Sequence, residues 1–176
     1  MDITNINQTI SSSECFWSLS LQFKTFVLSL IFILVILLLV FTIIHTSTKY
    51  HLVLHLLVIG LLFYVLINSI TKSPRYVSVN EEGIKIICIG KTIMIPNEDI
   101  DKISFFSDKR GLKKWGGSNG FFGELGSYKC NALGNFIAYV TDWSKSYVIY
   151  RKDKKPIVVS VEDPSIFAKF MQKDPS

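Results

Sequence analysis

"NFIAYVTDWSKSYVIYRKDKKPIVVSVEDPSIFAKF", residues 135–170, decides the fold class of this chain. Three apolar runs, FIAYVT (136–141), SYVIY (146–150) and PIVVSV (156–161), are separated by the polar stretches DWSKS and RKDKKP. Runs of this length, rich in β-branched and aromatic residues and bounded by turn residues, read as short β-strands. After Val161 the pattern changes. Asp163 is a plausible helix N-cap, Pro164 occupies the favoured first helical position, and Ile166, Phe167, Phe170 and Met171 recur on one helical face. The segment predicts one amphipathic helix whose apolar stripe closes an open end of a β structure.

Working back toward the N-terminus, period two persists as far as Tyr76. Val77 and Val79 alternate with Tyr76 and Ser78, NEEG (80–83) supplies turn residues, and IKIICI (84–89) returns, which reads as a β-hairpin. KTIMI (91–95) and IDKISFF (100–106) continue the series, for six to eight short, mostly antiparallel strands. KKWGGSNGFFGELGSY (113–128) holds five of the ten glycines. Glycine in β structure marks a bulge, a sharp bend or a close backbone approach. The expectation is a strand leaving one sheet for the other at a barrel corner. Phosphate-binding readings fail here. GKT (90–92) has Lys85 where a P-loop needs glycine and is followed by a strand, and Gly117, Gly120 and Gly123 do not spell a dinucleotide fingerprint.

Upstream of Tyr76 the composition is of another kind. FVLSLIFILVILLLVFTII (26–44) and LVLHLLVIGLLFYVLINSI (52–70) are 19 residues each and uncharged, the length of helices that cross a hydrocarbon core of roughly 30 Å. The first is longer than a leader's apolar core of ~7–15 residues, and no small-residue cleavage site follows it. HTSTKYH (45–51) is short enough to force an antiparallel helical hairpin. Lys24, Lys72, Arg75 and Lys85 flank the terminal side of the spans against Lys49 in the hairpin, which places both termini in the cytoplasm. The domains are therefore expected as a polar N-terminal segment (1–22) of poor order to about residue 15, two transmembrane helices within 23–71, and a β domain over 74–173. Phe16, Trp17 and Phe23 stand where aromatic anchors fix the first helix at the bilayer interface.

The first 70 residues hold Lys24, Lys49, Asp2 and Glu14, which leaves 17 of the 19 Lys and Arg and 12 of the 14 Asp and Glu, and the whole net charge of +5, to the remainder. That excess suits an anionic membrane surface and falls short of a nucleic-acid footprint. Lys109, Arg110, Lys113, Lys114 and Trp115 form the one basic cluster, a candidate membrane-facing or partner-facing edge. Cys15, Cys88 and Cys130 show neither metal-ligand nor disulfide spacing, and Cys88 reads as a core residue. His45, His51 and His55 all lie at the hairpin end of the spans, where His51 and His55 share a helix face with no third ligand. Without a histidine the β domain cannot build a Ser/His/Asp constellation. Glu98, Asp99, Asp101 and Asp108 read as a solvated face, so no catalytic, metal or cofactor site is expected.

The glycine-rich GGSNGFFGELG, the YVTD strand and the closing VVSVEDPSIF, following two apolar spans, resemble the bacterial pleckstrin-homology-like domain family over roughly residues 74–173. The resemblance implies a barrel of about seven antiparallel strands in two sheets, capped by the C-terminal α-helix, and a non-catalytic binding or scaffolding module. Its partners would be the bilayer itself and anionic lipid headgroups or a membrane protein, the alternative being a structural or assembly subunit of a membrane complex. The phosphoinositide site of pleckstrin domains, a basic first hairpin loop, does not carry over, because Glu81 and Glu82 would repel an anionic headgroup.

Overall fold

The computed structural model describes residues 11–45, 49–117 and 121–171. Its elements are β1 (Ser11–Glu14), α1 (Leu19–His45), α2 (Lys49–Thr71), β2 (Pro74–Asn80), β3 (Gly83–Cys88), β4 (Thr92–Pro96), β5 (Ile100–Phe105), β6 (Lys113–Gly116), β7 (Glu124–Cys130), β8 (Gly134–Val140), β9 (Ser146–Arg151), β10 (Lys154–Ser160) and α3 (Ala168–Met171).

α1 and α2 form around the two uncharged, proline-free apolar runs, with Lys24 in the first turns of α1 and Lys49 at the start of α2, and both are long and apolar enough to cross a membrane. They meet through the Phe32 and Phe63 rings, 5.8 Å apart, and through a 2.9 Å hydrogen bond between Thr42 Oγ1 and His55 Nε2. Leu37 is 60% exposed and Leu57 67%, and large apolar side chains stay exposed along both helices. A helix in the core of a soluble protein would bury such residues. The side chain of His51, and with it the paired-histidine reading, lies outside the described residues.

β1 to β4 make one antiparallel sheet in sequence order, and the second sheet runs β5-β9-β10-β8-β7-β6. β10 folds back from β9 into the slot beside β8, so β8 and β10 are parallel while every other pairing is antiparallel. The expected closed barrel of about seven strands is not what forms. There are ten strands among the described residues, and no ladder joins the two sheets. The reason is the alternation in β8 to β10. Ile137, Ile149, Ile157 and Val159 join Val77, Ile84, Ile86 and Ile95 of the first sheet in one core. Their neighbours Phe136, Val148 and Val158 pack on the opposite face beneath Phe106, Leu112 and Trp143. A sheet apolar on both faces must be covered on both, which makes it a middle layer instead of a barrel wall.

Two of the three additional strands come from the glycine-rich stretch. β6 and β7 pair with each other and both stay in the six-stranded sheet, so the expected crossing between sheets does not occur. The glycines serve a bulge there. Gly117 (φ 106°) and Gly126 (φ 125°) stand back to back, and a Cβ on either would run into the carbonyl of the opposing strand. The third is β1, in a segment expected to be poorly ordered. Ser11–Glu14 pairs with β2 from Ser11↔Val79 to Glu14↔Tyr76. The Asp163 N–H donates to Ser13 Oγ at 2.8 Å, and the Cys15 thiol donates to the Ser160 carbonyl at 2.9 Å. Residues 1–10 lie outside the described part.

The C-terminal segment begins as the sequence implied, with the Asp163 carboxylate accepting the Ser165 N–H at 2.9 Å and Pro164 in the first turn. The single amphipathic helix resolves into a 3-10 turn, Pro164–Phe167, followed by the one-turn α3. Ile166 and Phe167 are buried in the inter-sheet core, whereas Met171 is exposed.

Candidate functional site

The helix ends and the sheets meet at one junction. From α1, Leu21 and Thr25 are buried against the domain, the Ser18 N–H donates to the Thr141 carbonyl at 3.3 Å, and the Phe122 N–H donates to Thr25 Oγ1 at 3.4 Å. Trp17 meets Phe122 edge-on at 5.6 Å. From α2, the Gly90 N–H donates to the Thr71 carbonyl at 2.8 Å, and the Ser73 hydroxyl to the Phe122 carbonyl at 2.6 Å. Gly90 permits this approach, since a Cβ there would lie 2.6 Å from Thr71 Cβ. Gly90 of the β3–β4 loop is thereby seated on the end of α2, and Phe122, just before β7, is held by Thr25 of α1 and by Ser73 just after α2.

A charged fastening lies beside this contact. Lys24 donates to Glu124 Oε1 at 3.1 Å while the Tyr128 hydroxyl donates to Glu124 Oε2 at 2.8 Å. Burial, and next the hydrogen bond to the Glu124 carboxylate, push the Tyr128 hydroxyl well above the usual tyrosine range.

The five residues singled out from the sequence do not form one patch. Lys109 Nζ reaches the Trp143 carbonyl at 2.7 Å. Arg110 chelates Asp108 through two hydrogen bonds, 3.0 and 2.8 Å, which hold the Asp108 carboxyl down at about 2. Strand alternation then divides the rest. Lys114 turns inward, its ammonium buried and 5.6 Å from the Tyr128 ring centroid, and desolvation lowers its pKa against the pull of Glu124. Lys113 and Trp115 face outward, Trp115 at 74% exposure, and Lys113 stands opposite Lys129. Trp115, Lys129 and Lys155 line a shallow hollow of about 370 Å³. Arg110 and Lys113 lie at the end of the β6–β7 ladder remote from the helices, for the Arg110 carbonyl accepts the Asn131 N–H beyond β7. Sequence spacing could not find Lys129 and Lys155, because the ladder brings them to Trp115 from other strands.

The turn between β2 and β3 is also remote, one seven-residue strand, roughly 20 Å, from the end of α2. Asn80 Oδ1 accepts the Gly83 N–H at 3.1 Å, and Glu82 pairs with Lys85 at 2.9 Å, leaving an acidic tip. Two cavities flank the junction. One of about 560 Å³ is lined by Glu14, Trp17, Gln22, Arg75 and Tyr76, mixing both signs of charge. The other, about 510 Å³, opens between α2 and the six-stranded sheet and carries Lys72 and Lys91 with no acidic side chain in its lining.

Residues 75–174 match the model of a family described as the bacterial PH domain. No curated protein and no solved structure matches the chain.

Proposed function

The chain belongs to the bacterial PH domain family, and from that premise we propose that it is a membrane-anchored, non-catalytic binding and scaffolding module, held in the cytoplasmic membrane by α1 and α2. The seating of Gly90 on the end of α2 and of Phe122 between Thr25 and Ser73 carries this reading. A domain tied to its anchors at Thr25, Thr71 and Ser73 holds a fixed orientation to the bilayer. β1 precedes α1 and β2 follows α2, yet the two strands pair, so a spanning hairpin leaves both of its ends on one side. The excess of Lys24, Lys72, Arg75 and Lys85 over Lys49 makes that side the cytoplasm. In this orientation Lys113, Trp115, Lys129 and Lys155 point away from the bilayer, which favours a protein partner with an acidic surface over the membrane itself. A partner that stays bound in detergent would make the chain an assembly subunit.

Tyr50, 90% exposed in the hairpin, and Ser107, exposed in the domain, report the topology. In sealed cells a membrane-impermeant maleimide labels Tyr50→Cys directly and Ser107→Cys only after permeabilisation. Labelling of both from the same side would overturn the anchored reading.

A further inference from the structure

The cavity of about 510 Å³ between α2 and the six-stranded sheet is built in a way the domain core does not require. Val65, Asn68 and Ser69 line it from one face of α2, the i, i+3, i+4 stripe of an α-helix, and Lys72 from the turn just past its end, while Lys91 reaches it from the β3–β4 loop and Tyr139 from β8. The bond from the Gly90 N–H to the Thr71 carbonyl, 2.8 Å, holds the β3–β4 loop against the end of α2, so that Lys91 and Lys72 line the same cavity. Among the described residues neither lysine forms an ion pair. Lys91 donates to the Tyr139 hydroxyl at 3.3 Å and lies 5.3 Å from the ring centroid. Both cations open on one cavity whose lining holds no acidic side chain, and an anion placed between them is attracted by both.

The lining is also graded. From Lys72 just past α2 through Asn68 to Val65 on its face, the lining passes from cationic to amide to apolar over roughly 10 Å, at about 1.5 Å per residue along the helix. Val65 belongs to the apolar run, so the cavity's uncharged end opens toward the bilayer if α2 spans it.

We infer that this cavity binds the headgroup of an anionic glycerophospholipid. The phosphate sits between the Lys72 and Lys91 ammonium groups, the glycerol and ester oxygens meet the Asn68 amide and the Tyr139 hydroxyl, and the first acyl carbons lie against Val65 and Phe121. A soluble phosphate ester shares the head chemistry but makes no use of the apolar end. The inference rests on the anchored reading above and makes the domain a reader of the leaflet that holds it, at a place unrelated to the acidic β2–β3 turn.

The test uses the full chain in detergent micelles with fluorescent short-chain phosphatidylglycerol, phosphatidylcholine as the neutral control and glycerol 3-phosphate as competitor. The expected result is saturable binding of phosphatidylglycerol alone, weakened roughly tenfold or more in Lys72→Gln/Lys91→Gln and unchanged in Lys113→Gln/Lys129→Gln. A photoactivatable phosphatidylglycerol crosslinking to the Val65–Lys72 peptide gives the same answer without a substitution. Equal binding by parent and Lys72→Gln/Lys91→Gln, or full competition by glycerol 3-phosphate at the lipid's own concentration, overturns the inference. Because the Tyr50→Cys labelling is read separately, a spanning chain without this lipid selectivity refutes the lipid site alone, and a non-spanning chain refutes the reading beneath it.

Discussion

The Lys24 ammonium of α1 stands 3.1 Å from the Glu124 carboxylate of β7, and the other oxygen of that carboxylate takes the Tyr128 hydroxyl. Glu124 is 9% exposed, so this is a buried acid satisfied from two elements at once. Removing the carboxylate strands a buried hydroxyl and leaves Lys24 without this anion. Glu124→Ala should therefore cost about 2–3 kcal/mol, while Lys24→Met, whose ammonium is half in solvent, should cost about 1 kcal/mol or less. Denaturant unfolding of the full chain in detergent measures both, and a Glu124→Ala chain with the parental midpoint would refute the fastening.

The same carboxylate gives the domain an alkaline limit. The folded-state pKa of Tyr128 is raised above its unfolded value, first by burial and then by Glu124. The stability tied to its neutral form is complete below the ordinary tyrosine pKa of about 10 and is lost as pH rises above it, at about 1.4 kcal/mol per pH unit for one group. Tyr128→Phe should flatten this part of the stability profile between pH 10 and roughly 12. Identical profiles for parent and variant would show that the phenol ionises without penalty.

How far the sequence discloses this arrangement varies by element. β2 to β5 and β8 to β10 are legible because alternating apolar residues and polar turns mark each strand, and Asn80 and Gly83 close their turn as those residue types do elsewhere. β1 is not legible, since SSSE has no strand propensity and is held by backbone pairing to β2 and by Ser13 and Cys15 reaching the far end of the chain. The barrel expectation failed on Phe136, Val148 and Val158. The apolar runs do not say how many faces of the sheet are covered, and these residues form a second core on the sheet's other side. Basic residues adjacent in sequence, 109–115, are divided by strand alternation and local partners, while Lys72 and Lys91 come to line one cavity where Gly90 sits against Thr71.

β1 also shields a thiol. Cys15 is buried in the inter-sheet core, and burial pushes its thiol up to about 12, beyond where maleimides find a thiolate at neutral pH. Cys88 is buried and shifted in the same direction, again chiefly by desolvation. The folded chain should leave both unlabelled at pH 7 and expose them on unfolding. Deleting residues 2–13 removes β1 up to Ser13 and with it the Asp163 contact, so Cys15 should then label in the folded state. Mass spectrometry of labelled peptides decides it, and a Cys15 still protected after the deletion would mean that β1 is not the cover.

Adjacent glycines should respond differently to the same added methyl group. A Cβ at Gly116 meets nothing within 4 Å, so Gly116→Ala should change stability by about 0.5 kcal/mol or less. At Gly126, φ is 125°, and the Cβ would strike the Gly116 carbonyl and approach Gly117 Cα at 2.8 Å. Both backbone strain and the forced separation of β6 from β7 follow, for an expected loss of about 2 kcal/mol or more. The damage should extend beyond stability. Gly117 and Gly126 both line the cavity beside α2, so prying their strands apart displaces its wall, and Gly126→Ala should weaken phosphatidylglycerol binding even where the chain remains folded. Thermal unfolding and the lipid titration on the pair of variants test this together. Equal unfolding temperatures for Gly116→Ala and Gly126→Ala would show that the bulge tolerates a side chain and that glycine is not required there.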